Sequence, residues 1–219
     1  MTAALPTTHA LPGSGKTETI HQFALQAEWA QWLAAQHDKS GAIWLRHAKK
    51  GAPTATLSYA QALEVALCFG WIDGQRNSES GHFYLQRWSP RGPRSIWSRV
   101  NRDKALGYIQ TGHMQPSGLA EIERAKKDGR WDAAYAPASE THIPPDLQAA
   151  LDAHPGAAEF FATLSAQNRY AVLFRTHTAK KPETRARRIA QFAQMLARGE
   201  TIYPQTARKP KASREAKAG

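Results

Sequence analysis

Two stretches of the chain concentrate residue types that do recognition chemistry. Residues 68–76 read Cys-Phe-Gly-Trp-Ile-Asp-Gly-Gln-Arg. Residues 84–102 read Tyr-Leu-Gln-Arg-Trp-Ser-Pro-Arg-Gly-Pro-Arg-Ser-Ile-Trp-Ser-Arg-Val-Asn-Arg. Together they hold three tryptophans and six arginines. A guanidinium is planar, stacks on indole and grips phosphate or carboxylate with two parallel hydrogen bonds. A proline-stiffened loop carrying Arg91 and Arg94 between Trp88 and Trp97 is therefore a candidate anion cradle. A helix starting at Ser95 or Ser98 would add backbone amides to it. Trp71, Asp73 and Arg87 complete this candidate site, and Asp73 is its one candidate for proton chemistry. A structural alternative stands beside it. Asp73 turns the chain with Gly74 and pairs with Arg87 across a hairpin, the tryptophans serve as core, and the other charges are solvated.

The last helical stretch adds three basic residues. With a start at Pro182 and about 100° per residue, Ile189, Phe192, Met195 and Leu196 form one apolar stripe. Arg187, Gln191, Gln194 and Arg198 fall on the opposite side, but Arg185 and Arg188 fall on the apolar side. A buried arginine needs a carboxylate or an anion. Arg185 and Arg188, with Lys181, are therefore expected to complete the anion site begun by Arg91 and Arg94. In the alternative they reach water or Glu159.

Other chemistries find less support. Ala10 to Thr17 resembles a phosphate loop, but Met1 to His9 is too polar and proline-broken to be the buried strand that such a loop needs. The nine histidines form no His-x-His or His-x-x-x-His pair, so no metal site and no cofactor is expected. Cys68 sits in an apolar helix end and reads as a buried, inert thiol. No Gly-x-Ser-x-Gly elbow is present. No apolar run reaches the roughly 18 residues of a membrane span. Met1 to Leu11 lacks Lys and Arg, so no export signal is expected and a cytoplasmic location fits.

Net charge is +11, unevenly spread. Residues 175–219 hold 12 Lys and Arg against 3 acids, and residues 87–104 hold six basic residues against Asp103. Such patches attract nucleic acid, phosphate or acidic partners.

The elements that position these residues follow from periodicity and caps. Helices are expected over Gln26–His37, from Ser58 to Gly70 with a Ser58/Gln61 capping box, from Ser95 or Ser98 to Gly112, and over Pro116–Asp128. Tyr59, Leu63, Val65, Ala66 and Phe69 form the buried face of the second. Strands are expected at 18–24, 43–45, 71–73 and 82–88, with 89–93 a loop. Four helices follow from Asp146 to Gly199. The fold class is α+β. Residues 1–17 read as a mobile leader, 18–135 as an α+β domain, 136–145 as a linker, 146–203 as a helical module and 204–219 as a disordered basic tail.

The segments 66–75, 87–102 and 178–189 closely resemble the bacteriocin-protection, YdeI/OmpD-associated family. The resemblance runs from about Thr19 to about Pro204, and the family's named domain would cover roughly 140–203. It implies a link to bacteriocin, antimicrobial-peptide and envelope-stress tolerance, with no described reaction and no catalytic residues to carry over. The expected activity is binding of an anionic small molecule or an acidic protein partner. A nucleic-acid-binding module is the alternative, and an enzyme with a pocket around Asp73 ranks last. Replacing Arg91 or Arg94 by alanine is expected to leave folding nearly unchanged.

Overall fold

Side chains that alternate between two environments form the strands, and capped amphipathic runs form the helices. The computed structural model describes residues 7–10, 17–137 and 142–205. Its class is α+β, and it divides into two units between Ala134 and Tyr135.

The first unit contains β1 (Thr7–Ala10), β2 (Thr17–His21), α1 (Gln26–Gln36), β3 (Ile43–Ala48), α2 (Tyr59–Cys68), β4 (Trp71–Ser78), β5 (Phe83–Pro90), α3 (Arg99–Gln110) and α4 (Pro116–Lys127). The described strands make a five-stranded sheet in the order β1-β2-β3-β5-β4. Only β2 and β3 pair in parallel. A parallel pair needs a crossover, and α1 supplies it.

Thr7–Ala10 pair with Thr17–Ile20, inside the stretch read as a leader. Residues 1–6 and 11–16, with most of the phosphate-loop-like sequence, lie outside the described residues. So do 138–141 of the expected linker and 206–219 of the basic tail. β5 runs on to Pro90, which ends the ladder opposite Trp71. A proline is tolerated there because a terminal position needs no donor.

Period-two alternation splits the sheet into two faces. Ile43, Leu45 and His47 of β3 share a face with Trp88, Gln86 and Tyr84 of β5, their register partners. Trp29, Leu33, Leu63, Ala66 and Leu67 of α1 and α2 pack in the same core as Ile43, Leu45, Trp71 and Trp88. On the other face, Ile20, Trp44 and Leu85 form a small cluster.

The helix signals are obeyed locally. Ser58 Oγ accepts from Gln61 N, and Ser58 N donates to Gln61 Oε1 at 3.1 Å, closing the capping box. Gly70 stops α2 at φ +75°. Tyr59, expected on the buried face, is exposed at the helix start. Burial, with Glu64 adding to it, pushes the Cys68 thiol up to about 11.

The second unit contains α5 (Pro145–Asp152), α6 (Ala157–Thr163), α7 (Ala166–His177) and α8 (Pro182–Ala197). Ile189, Phe192 and Leu196 of α8 are buried against Leu147, Leu151, Phe161 and Val172. That is the stripe the helical periodicity predicts. Asn168 is 1% exposed and binds both backbone groups of Tyr203, which fixes the segment after α8 onto α7.

The tightest constraint in the first unit is Gly118, where α4 crosses the end of α2. A Cβ there would lie 2.2 Å from Cys68 O and 2.5 Å from Met114 Sδ. Cys68 O is backbone and already accepts from Gln115 N, so it cannot retreat freely. Gly118→Ala is expected to cost about 1–3 kcal/mol by overpacking. Urea unfolding followed by tryptophan fluorescence checks this, with Gly41→Ala, which meets nothing within 4 Å, as the control.

Candidate functional site

The loop from Arg91 to Ser98 is built by arginines turned inward. Arg91 is 3% exposed. Its guanidinium lies 3.6 Å over the Trp97 ring, and Nη1 donates to Ile96 O at 3.3 Å. Arg124 of α4 donates to Arg91 O at 2.8 Å and to the Glu121 carboxylate. Arg130 donates to Ser95 O at 2.7 Å and also pairs with Asp128. Ser95 Oγ accepts from Gly92 N, and Ser98, not Ser95, caps α3. Burial raises the Glu121 pKa, and the surrounding Arg124, Arg130 and Arg91 oppose that rise. The result is a rigid loop whose outer residues, Arg94 and Arg99, are exposed.

Arg91 and Trp97 are thus brought together, as a buried pair. The expectation that losing Arg91 leaves folding unchanged assumed an exposed side chain, and Arg91 is buried instead. A stacked, desolvated guanidinium bonded to a loop carbonyl is part of the core. Arg94 remains at the surface.

Asp73 and Arg87 are not paired. Asp73 faces Trp88 across the β4–β5 ladder, on the helix-covered face. Arg87 precedes Trp88 and so points to the other face. There it makes bidentate bonds to Glu18, which raise its pKa and also hold Trp44 Nε1 through Glu18. Asp73 accepts from Tyr59 Oη at 3.0 Å. Trp71 is buried in the core, donating Nε1 to His37 O.

The Asp73 face carries residues that sequence reasoning did not select. His47 is 1% exposed and donates Nδ1–H to Leu57 O at 2.8 Å. A carbonyl only accepts, so Nε2 carries the lone pair, and Nε2 is buried with no hydrogen-bond partner. Burial lowers the His47 pKa; the Leu57 bond opposes this and the Arg76 cation adds to it. His47 stacks on Tyr84 at 5.2 Å, and Arg76 sits 3.8 Å over the Tyr84 ring. The available signals were a histidine inside an apolar strand and a glycine, Gly74, inside a strand. Among the described residues no group of three metal-ligating side chains occurs. No helix there is long and apolar enough to cross a membrane.

In the second unit, Arg185 and Arg188 are half-buried while Arg187 and Lys181 are exposed. Arg185 finds a carboxylate, Asp146, through bonds of 2.7 and 2.8 Å, and donates to Thr176 O. Asp146 is held below the usual carboxylate range chiefly by that bond. Arg188 donates to Arg175 O. Both arginines therefore bind the last carbonyls of α7, where the helix dipole favours cations.

An α+β unit joined to an all-helical unit with this arginine clamp is the class of protein described. Residues 140–199 match the model of the family described as bacteriocin-protection, YdeI or OmpD-associated. Residues 21–121 match a second model, described as a domain of unknown function (DUF8412). The motifs at 66–75 and 87–102 fall within the second match and the motif at 178–189 within the first. No curated protein and no solved structure matches the chain.

Arg91→Ala is expected to lower stability by about 2–4 kcal/mol, in the range of a core truncation. Arg94→Ala is expected to change it by less than about 0.5 kcal/mol. Urea midpoints of the two variants decide this; equal midpoints would refute the buried role of Arg91. By the same measurement Arg185→Ala should cost roughly 1–2 kcal/mol, since it removes charged hydrogen bonds. Arg187→Ala, on the exposed side of the same helix, should be near neutral.

Proposed function

We propose that this is a binding protein for an anionic ligand or acidic partner, acting in tolerance of bacteriocins and antimicrobial peptides. The observation that carries the reading is the loop at 91–98. Arg91, Arg124 and Arg130 are committed to its backbone, while Arg94 stays exposed with no ion pair among the described residues. Rigidity of the loop spares the ordering cost of binding. Exposed Arg99 and half-buried Arg102 and Lys104 of α3 extend the positive surface beside it. Lys181 and the cations of α8 belong to the same reading as a second basic surface. Their partners, Asp146 and the α7 carbonyls, favour a structural role for Arg185 and Arg188.

The physiological part of the proposal rests on the matched family's description. A strongly basic protein repels a cationic peptide, which favours action through an anionic target over capture of the peptide itself. Trp71, Trp88 and Trp97 are buried, so base stacking on them is not offered, which weighs against single-stranded nucleic acid.

Pyrophosphate is the probe for this reading. It is expected to raise the melting temperature, with the effect fading as sodium chloride is added. Arg94→Ala should lose the shift, and Arg198→Ala, paired with Glu200, should keep it. Absence of any shift in the parent protein would overturn the proposal. Tight binding of a mixed-sequence oligonucleotide, with a salt slope of roughly −0.7 to −0.9 per phosphate, would move the assignment to nucleic acid.

A further inference from the structure

β4 does not pair regularly. Its register with β5 shifts between Asp73 and Arg76. In a regular strand, residues three apart face opposite sides of the sheet. Here Asp73 lies opposite Trp88 and Arg76 opposite Gln86. Trp88 and Gln86 are two apart and share a face, so the extra residue at Gly74–Gln75 re-aims Arg76 onto the face of Asp73. Re-aiming a side chain is what a β-bulge does. The bulge is pinned from below. Gln86 is 4% exposed, and its Nε2 donates to Gly74 O at 3.0 Å and to Gln75 O at 3.2 Å.

An acid and a base therefore stand on one face, their backbone positions about 7 Å apart as judged from two strand residues. No ion pair joins them. Arg76 is exposed, stacked on Tyr84 with its hydrogen-bonding edge uncommitted, and Asp73 is half-buried, oriented by Tyr59. Trp88 forms the floor, with Tyr59 at 5.9 Å and His47 at 6.5 Å between ring centroids. On the same face of the sheet, His47 Nε2 is a buried acceptor without a hydrogen-bond partner. An unmet buried acceptor is costly unless something fills it.

We propose that this face is a binding site for a free α-amino acid with a hydrogen-bond-donating side chain. The carboxylate takes the Arg76 guanidinium, the ammonium takes the Asp73 carboxylate, and the side chain donates to His47 Nε2. A guanidinium and a carboxylate on one face, with no ion pair between them, match a zwitterion and would reject a simple anion or cation. The site shares no residue with the loop at Arg94, so it stands or falls independently of the anion reading above.

The test is thermal shift and calorimetric titration with the free amino acids, their N-acetyl derivatives and their amides. Free amino acids with hydroxyl, amide or guanidino side chains are expected to bind and stabilise. Both blocked series should lose binding at least tenfold. Arg76→Gln and Asp73→Asn, both at accessible positions, should abolish binding while leaving the pyrophosphate response intact. His47→Phe should erase the preference for donor side chains. Absence of binding by every free amino acid, equal binding of the N-acetyl series, or full binding by Arg76→Gln would overturn the proposal.

Discussion

Burial of three indoles holds the first unit together. Trp29 from α1, Trp71 from β4 and Trp88 from β5 are each 1% exposed or less. The Trp29 ring lies 6.2 Å from Trp71 and 6.4 Å from Trp88. Large flat rings of this kind contribute much of a small core, and their N–H groups demand acceptors. Trp29 Nε1 finds Ala62 O on α2, and Trp71 Nε1 finds His37 O after α1. These two bonds set where both helices lie on the sheet. Trp88 then becomes the floor on which His47, Tyr59 and Asp73 assemble.

A second constraint shapes the cationic residues. A guanidinium taken out of water must be stacked and hydrogen-bonded, or it destabilises the fold. Arg91 meets part of that demand with Trp97 and Ile96 O. Arg87 meets it with Glu18, and Arg185 with Asp146 and a helix end. Arg87, Arg91, Arg185 and Arg188, half of the eight arginines in the recognisable motifs, thereby act as structural clamps. The motif is arginine-rich partly because tight loops leave carbonyls that only a long, multiply donating side chain can reach. The cations those clamps do not consume include Arg94 at the loop tip and Arg76 beside the bulge, both exposed.

Glycine marks the places where the backbone turns sharply or bulges. Gly70 must be left-handed for α2 to turn directly into β4, and Glu121 Cγ fills the space beside it. Gly74 lies in the bulge that reorients Arg76. The short connection from α2 to β4 delivers Trp71 and Asp73 onto the face already occupied by Trp29 and Trp88.

Much of this architecture is legible without coordinates, because it is local. The Ser58/Gln61 box, Pro116 and Pro182 at helix starts, Gly70 and Gly129 at helix ends, and the apolar stripe of α8 each follow from residues within a few positions of one another. The pairing of Arg91 with Trp97 is also short-range. The sheet order is different, because pairing β3 with β5 depends on contacts far apart in sequence. Three-residue spacing in a regular strand puts Asp73 and Arg76 on opposite faces, and only the bulge, held by Gln86, reverses that. Glu18 and Asp146 as partners of Arg87 and Arg185 lie 69 and 39 residues away. A lone histidine in an apolar strand reads as core, and it becomes a buried acceptor only when Leu57 takes its other nitrogen. Local propensity fixes elements and caps through short-range sterics and hydrogen bonds. Which charges are neutralised, and which stay available, is decided by long-range packing, where one strand residue more or less turns a side chain to the other face.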